Sequence, residues 1–155
     1  MLTQDELKSI FYYDQNTGIF FRFKGKKLNS VGINGYFQTS INNKKYYLHR
    51  LAWLYVYGCM PNKEIDHINN NRSDNRICNL REVSRNQNSA NTKLSKNNKS
   101  KHKNISLHLK TNLWRVVMTK NKKCIVNKYF KELNDAICFA NKMREIHFGI
   151  YANHG

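Results

Sequence analysis

A run of polar and basic residues in the middle of the chain decides how much of it can share one hydrophobic core. Residues 93–104 contain five lysines and no acidic residue, and Leu94 is their only apolar side chain. Such a segment cannot bury itself, so it predicts a linker, or the tail of a helix that runs into one. The chain is therefore expected to divide into residues 1–92, a basic linker at 93–103, and residues 104–155.

The charge of the chain points to a polyanionic partner. Among 155 residues, 27 Lys and Arg stand against 10 Asp and Glu, which gives a net charge of +17. A soluble domain needs far less charge than this. No apolar run approaches the length of a membrane span, and the N-terminus has no signal-peptide pattern. The four scattered cysteines form no C-x-x-C pair, so we expect reduced thiols and a cytoplasmic protein.

The first part is predicted to be rich in β-structure. An amphipathic turn around Leu7 precedes a turn signal at residues 14–18 and a strand at 19–23. Residues 36–48 read as a β-hairpin around Asn42-Asn43-Lys44, and residues 49–57 as a short helix that Gly58 ends.

The last part is predicted to be a three-stranded sheet packed on one helix. Strands are expected at residues 105–108, 113–119 and 124–130; the second alternates apolar and polar positions. Apolar residues then recur at helical spacing from Leu133 to His147, before Gly149. One face of this sheet would pack on the helix and the other would stay free. The fold class is therefore α+β.

The segment from Ile65 to Asn88 contains the residues that are suited to catalysis and metal binding. It reads as strand, loop, strand and helix, with Asp66-His67 at the end of the first strand and Ser84 as the N-cap of the helix. A carboxylate beside an imidazole, facing an amide oxygen, suits an oxygen-preferring cation such as Mg²⁺. The histidine can then stay metal-free and accept a proton from water.

This segment resembles the HNH (ββα-metal) endonuclease motif. The resemblance rests on Asp66-His67, Asn79 and Asn88, on the DHINxNxxDNRxxNLR pattern, and on the HRLAW helix at residues 49–53, as in phage and intron-associated members. It implies that Asp66 and Asn88 bind the metal, that His67 is the general base, and that Asn79 holds the loop and orients His67. Asn88 replaces the commoner final His, which favours Mg²⁺ or Mn²⁺ over Zn²⁺.

The last fifty residues resemble an AP2 DNA-binding domain. Trp114 and its strand, Phe130, the helix at residues 136–140 and the Phe148-Gly149-x-Tyr151-Ala152 run carry this resemblance. It implies that the free sheet face enters the DNA major groove. The positions that would face DNA are Ser106, His108, Arg115, Val117 and Thr119.

Further residues are expected to contact DNA through their charge. His49 and Arg50 could contact phosphate beside the metal or cap a core helix, and both readings stay open. The lysines of the linker suit a phosphate backbone. The predicted contacts outside the sheet are His49, Arg50, Arg76, Arg81, Lys96, Lys99, Lys101 and Lys103.

Together these features predict a metal-dependent endonuclease that cuts double-stranded DNA at a preferred site, in the manner of a free-standing homing endonuclease. The chain holds one Asp-His set and no heptad repeat, so we expect a monomer that nicks one strand and needs no protein partner. The alternative is a non-catalytic DNA-binding protein that has kept the nuclease fold as a scaffold.

Overall fold

The computed structural model describes residues 2–23, 25–32 and 34–154. The chain forms two compact units, Met1–Ser84 and Arg85–Gly155. The second unit thus includes the segment predicted to be a linker, and the domain boundaries predicted from the sequence stay predictions. None of the helices in the described ranges has the length and apolar character that crossing a bilayer requires.

The first unit opens with a capped helix that leads directly into a β-hairpin. Helix α1 (Gln4–Ile10) begins with a capping box, in which the Thr3 hydroxyl accepts from the Glu6 amide and the Glu6 carboxylate accepts from the Thr3 amide. Strand β1 (Phe11–Asp14), which the sequence reading missed, pairs antiparallel with β2 (Ile19–Arg22). Gly18 closes the turn between them with φ +72°.

A second hairpin and a helix follow, as predicted. Strands β3 (Gln38–Ile41) and β4 (Lys44–Tyr47) are antiparallel, and both turn residues, Asn42 and Asn43, have positive φ. Asparagine tolerates this conformation well, and a turn of this kind matches the twist of the two strands. Helix α2 (Leu48–Tyr57) ends at Gly58, which adopts the left-handed conformation.

The predicted strand–loop–strand of the motif is confirmed. Strand β5 (Glu64–His67) pairs antiparallel with β6 (Leu80–Val83), and a 3₁₀ turn (Ile77–Asn79) leads into β6. The fully buried side chains of Leu7, Phe11, Phe20 and Leu51 lie in the core of this unit. The hairpin that carries Asp66 and His67 is therefore built against a rigid apolar base.

The second unit contains the predicted three-stranded sheet and helix. Helix α3 (Arg85–Ala90) precedes β7 (Ile105–His108), β8 (Leu113–Lys120) and β9 (Lys123–Phe130), whose order in the sheet is β7-β8-β9, all antiparallel. Helix α4 (Leu133–Phe148) packs on one sheet face through Ala136 and Ala140, and a second 3₁₀ turn (Gly149–Tyr151) follows it. The chain is thus a mixed α+β structure, and the prediction is confirmed at this level.

Candidate active site

Asp66 and Arg81 face each other across the β5–β6 hairpin. The strand register pairs the two residues directly. The Arg81 Nε donates to the Asp66 Oδ2 at 2.9 Å, and the Arg81 terminal nitrogen lies 2.8 Å from the same oxygen. Only 7% of the Asp66 side chain and 16% of the Arg81 side chain are exposed. Arg81, predicted to contact DNA, is here the ion-pair partner of the predicted metal ligand.

His67 ends strand β5 in a buried aromatic pocket. It is 4% exposed, and its ring centroid lies 5.3 Å from that of His49 and 5.7 Å from that of Tyr36. Burial lowers the pKa of His67, because the surroundings disfavour the charged imidazolium. The ring is therefore neutral at pH 7, which is the state that can accept a proton from water.

Asn75 is the residue whose side chain meets the His67 ring. The Asn75 Oδ1 lies 3.2 Å from the His67 Nε2, and Asn75 is 1% exposed. Sequence reasoning had singled out Asn79 for this task and treated Asn75 only as part of the motif pattern. The available signal was its place in Asp74-Asn75-Arg76, between the two strands.

Asn79 holds the loop between β5 and β6, as the motif implies. Its Oδ1 accepts from the Asn69 amide at 3.0 Å, and its Nδ2 donates to the Asn69 Oδ1 and to the Asp74 carbonyl. The Asn79 carbonyl also accepts from the Ile68 amide. These bonds fix the loop immediately after His67.

Arg76 and Asp74 form a two-point ion pair inside the same loop. The Arg76 Nε and a terminal nitrogen donate to the two carboxylate oxygens of Asp74 at 2.8 and 2.6 Å. The bonds from Arg76 lower the pKa of Asp74 to about 2. Arg76, also predicted to contact DNA, has a side chain that is 45% exposed, and its charge faces solvent while it is paired with Asp74.

His49 and Arg50 at the start of α2 take structural positions. His49 is 7% exposed, its ring stacks on Tyr47 with a centroid distance of 5.5 Å, and burial lowers its pKa to about 3. The two terminal nitrogens of Arg50 donate to the carbonyls of Pro61 and Lys63. Arg50 therefore secures the chain that leads into β5.

Asn88 is the second predicted ligand of the metal. Asn88 lies on α3, in the second unit, so its position relative to Asp66 stays a prediction. Within residues 2–23, 25–32 and 34–154, no cluster of three or more His, Cys, Asp or Glu side chains could hold a metal ion. A carboxylate and an amide oxygen fit a hard cation that keeps several water ligands, which is how Mg²⁺ is usually held.

The first unit also has a basic concavity that the sequence did not predict. It has a volume of about 400 Å³ and lies against β2, β3 and β4. Its described lining includes no acidic residue, and its remaining members are polar apart from Leu28. The cationic lining residues are Arg22, Lys26, Lys27 and Lys45.

The free sheet face of the second unit carries an ordered polar cluster. Arg115 pairs with Ser106 on one side and Tyr129 on the other, on the face opposite Val116 and its core neighbours. The Arg115 Nε donates to the Asn127 Oδ1 at 3.0 Å, and its guanidinium lies 5.7 Å from the Tyr129 ring centroid. The positions predicted from the sequence for this face are Ser106, His108, Arg115, Val117 and Thr119, and they do not include Asn127 or Tyr129.

The lysines of the basic segment differ in their surroundings. Lys96, Lys99 and Lys101 are exposed. The Lys103 ammonium donates to the carbonyls of Ala90 and Thr92, and burial lowers its pKa to about 8. Lys103 therefore secures the second unit, whereas Lys96, Lys99 and Lys101 present their charge to solvent.

Two comparisons with known proteins found a match. Residues 46–90 match the HNH endonuclease family, and this segment is an HNH endonuclease domain. Among solved structures, one described as "DNA binding and cleavage by the HNH homing endonuclease I-HmuI" matches with 19% identity and a TM-score of 0.43, over 91% of this chain and 90% of that chain. No curated protein matches the sequence.

Proposed function

We propose that the chain, whose residues 46–90 are an HNH endonuclease domain, hydrolyses a phosphodiester bond of double-stranded DNA at a preferred site. The observation that carries this proposal is the buried Asp66-His67 pair on one rigid hairpin, with a neutral imidazole beside the carboxylate. A scaffold that only binds DNA has no need of such a pair, because a buried ion pair, such as that of Asp66 with Arg81, stabilises a fold no better than well-packed apolar residues of similar size.

His67 is the general base in this proposal. Its neutral ring takes a proton from the attacking water, and a positioned base of this kind contributes about 10²- to 10⁴-fold to the rate. Asp66 and Asn88 would hold Mg²⁺ or Mn²⁺, which when bound neutralises charge on the phosphate and the leaving oxygen. Arg81 balances the charge of the buried Asp66 carboxylate.

DNA binding in this proposal is distributed over both units. The net charge of +17, the exposed lysines of the basic segment and the concavity near Lys45 supply sequence-independent phosphate contacts. The free sheet face around Arg115 is the element that reads bases, in the way an AP2-like module would. A site-preferring nuclease of this design would act as a free-standing homing endonuclease.

The chain is proposed to act as a monomer that nicks. One Asp-His set acts on one scissile phosphate, and cutting both antiparallel strands at once needs a second, symmetry-related set. On supercoiled plasmid at low enzyme concentration, open circles should therefore form first. Linear product in one step, with second-order dependence on enzyme, would show a dimer instead.

The decisive experiment is plasmid nicking with Mg²⁺ or Mn²⁺ and with a chelator. His67→Ala should lower the nicking rate by about 10²-fold or more while DNA affinity is unchanged. His154→Ala is the matched control, since that histidine side chain is 45% exposed in the second unit. Wild-type protein that binds DNA but never nicks it with either metal would instead be a non-catalytic DNA-binding protein.

A further inference from the structure

We propose that Asn75 is the positioning residue for His67 and that the first hairpin, β1–β2, holds Asn75 in place. The inference rests on the proposed function, because it concerns how the general base of that reaction is prepared. It assigns a catalytic purpose to a hairpin that lies outside the matched family segment at residues 46–90.

The contact between Asn75 and His67 selects one tautomer of the imidazole. The Asn75 Oδ1 lies 3.2 Å from the His67 Nε2. An amide oxygen can only accept a hydrogen bond, so with the Asn75 oxygen facing the ring the contact is made by the tautomer that carries its proton on Nε2. The lone pair that takes a proton from water is then on Nδ1, and the contact also fixes the rotation of the ring.

The first hairpin fixes the backbone of Asn75. The Tyr13 hydroxyl donates to the Asn75 carbonyl at 2.6 Å, and Tyr13 is itself buried, with its ring 4.5 Å from that of Phe20. At the turn of the hairpin, a Cβ on Gly18 would lie 2.4 Å from the Arg76 nitrogen and 2.6 Å from the Asn75 carbonyl carbon. Gly18 thus allows the turn to pack directly on the backbone of this loop.

The second polar atom of the Asn75 side chain argues against a purely structural role. Its Nδ2 is buried and finds no hydrogen-bond partner among the described residues. A buried amide with an unpaired N–H lowers stability, and a residue kept only for packing would avoid this cost. What Asn75 supplies is its oxygen, aimed at His67.

Two variants of Asn75 and one of Tyr13 separate these roles. Asn75→Leu removes the acceptor and keeps the number of side-chain heavy atoms, whereas Asn75→Asp keeps an oxygen acceptor. Tyr13→Phe removes only the hydroxyl that holds the Asn75 carbonyl. The matched control is Tyr12→Phe, because Tyr12 is the preceding residue of the same strand and is 57% exposed.

The first readout is the tautomer of His67 in the full chain without DNA or metal. In long-range ¹H–¹⁵N spectra of histidine-labelled protein, with His67 assigned by its loss in His67→Ala, the wild-type ring should carry its proton on Nε2. Asn75→Leu should shift the ring toward a mixture of tautomers, and Asn75→Asp should retain the wild-type form. A folded Asn75→Leu protein with the tautomer unchanged overturns the proposal.

The second readout is the nicking rate at saturating DNA. Loss of the partner that orients a metal-ligating histidine costs about 10- to 100-fold, and we expect a loss of similar size in the rate of Asn75→Leu, with unchanged DNA affinity. Asn75→Asp should recover most of the rate, Tyr13→Phe should show a smaller loss, and Tyr12→Phe none. If Asn75→Leu does not fold, the tautomer and rate of Tyr13→Phe decide, and no change in either refutes the role of the hairpin.

The two readouts keep this inference distinct from the proposed function. Wild-type protein that nicks no DNA would refute the nuclease, whatever the tautomer of His67. Wild-type protein that nicks DNA, together with an Asn75→Leu protein that is folded and fully active, would refute the positioning role alone.

Discussion

The ion pair between Arg81 and Asp66 allows a direct test of the metal site through protein stability. In Arg81→Gln the buried Asp66 carboxylate loses its guanidinium. Removing one partner of a buried pair costs about 3 to 5 kcal/mol. Because the Arg81 side chain keeps 16% exposure, we expect about 3 kcal/mol, the lower end of that range. This is a large share of the roughly 5 to 15 kcal/mol that stabilises a domain.

Divalent metal should restore much of this loss. A cation at Asp66 supplies the positive charge that Arg81 supplied, and binding to the folded state alone stabilises by about 2.7 kcal/mol when its concentration is one hundred times Kd. The effect of Mg²⁺ on the free energy of unfolding should therefore be larger in Arg81→Gln than in the wild type. In the double variant Asp66→Asn with Arg81→Gln, Mg²⁺ should have no such effect.

The placement of the two tryptophans makes the measurement specific to the first unit. Trp53 lies in α2 of the first unit and Trp114 in β8 of the second. In a Trp114→Phe background, urea unfolding followed by tryptophan fluorescence reports on the first unit. A loss of 3 kcal/mol corresponds to a midpoint shift of about 1 to 3 M urea. A loss below about 1 kcal/mol, typical of an exposed pair, or equal effects of Mg²⁺ on the single and double variants, would refute the reasoning.

Three further predictions follow from individual residues. Because the pKa of His49 is lowered to about 3, the unfolded state binds more protons between pH 6.5 and 3. His49 should therefore lower the stability of the first unit on acidification below pH 6.5, by up to about 1.4 kcal/mol per pH unit, in addition to the loss from His67, whose pKa is also lowered. In urea melts at several pH values, His49→Phe should remove its own part of this slope. Gly18→Ala should lower the melting temperature by several degrees, because its Cβ would lie 2.4 Å from backbone and its φ is +72°. Gly25→Ala has no atom within 4 Å of its Cβ, so only its positive φ should lower the melting temperature. Equal melting temperatures for the two glycine variants would show that Gly18 is not required for close packing on the loop. Finally, replacing three exposed lysines of the basic segment with Gln should lower the slope of log K against log salt by about 0.9 per lost phosphate contact on every DNA sequence. The same change at Lys103 should lower stability instead. An unchanged slope in binding titrations contradicts the phosphate role. The three are Lys96, Lys99 and Lys101.

Several elements could be predicted from the sequence because their signals are local. The alternation along β8 sets which residues face α4, and the observed register places Val116 and Met118 in the core as that pattern predicts. The turn at Asn42-Asn43 and the helix ends at Gly58 and Gly149 all use backbone conformations with positive φ. Asn and Gly adopt these conformations more readily than other residues, so the residue type itself predicts them.

Other predictions were incomplete because the sequence shows which residues are charged but not which groups they contact in the fold. Arg76 and Arg81 were expected at DNA from their charge, yet both bind carboxylates of the same hairpin. Strand β1 was missed because Phe11 follows α1 without a turn residue, so no local signal separates the helix from the strand.

The sequence by itself determined the Asp66-His67 pair and its place at the end of the first of two paired strands, since the spacing of the motif is local. Only the tertiary structure decided that Asn75, rather than Asn79, presents its side chain to the His67 Nε2 at 3.2 Å, and that Tyr13, from 62 positions earlier, holds the carbonyl of Asn75. The physical reason is that a hydrogen bond of this length depends on the packing of two hairpins, and this packing is set by the whole apolar core under them.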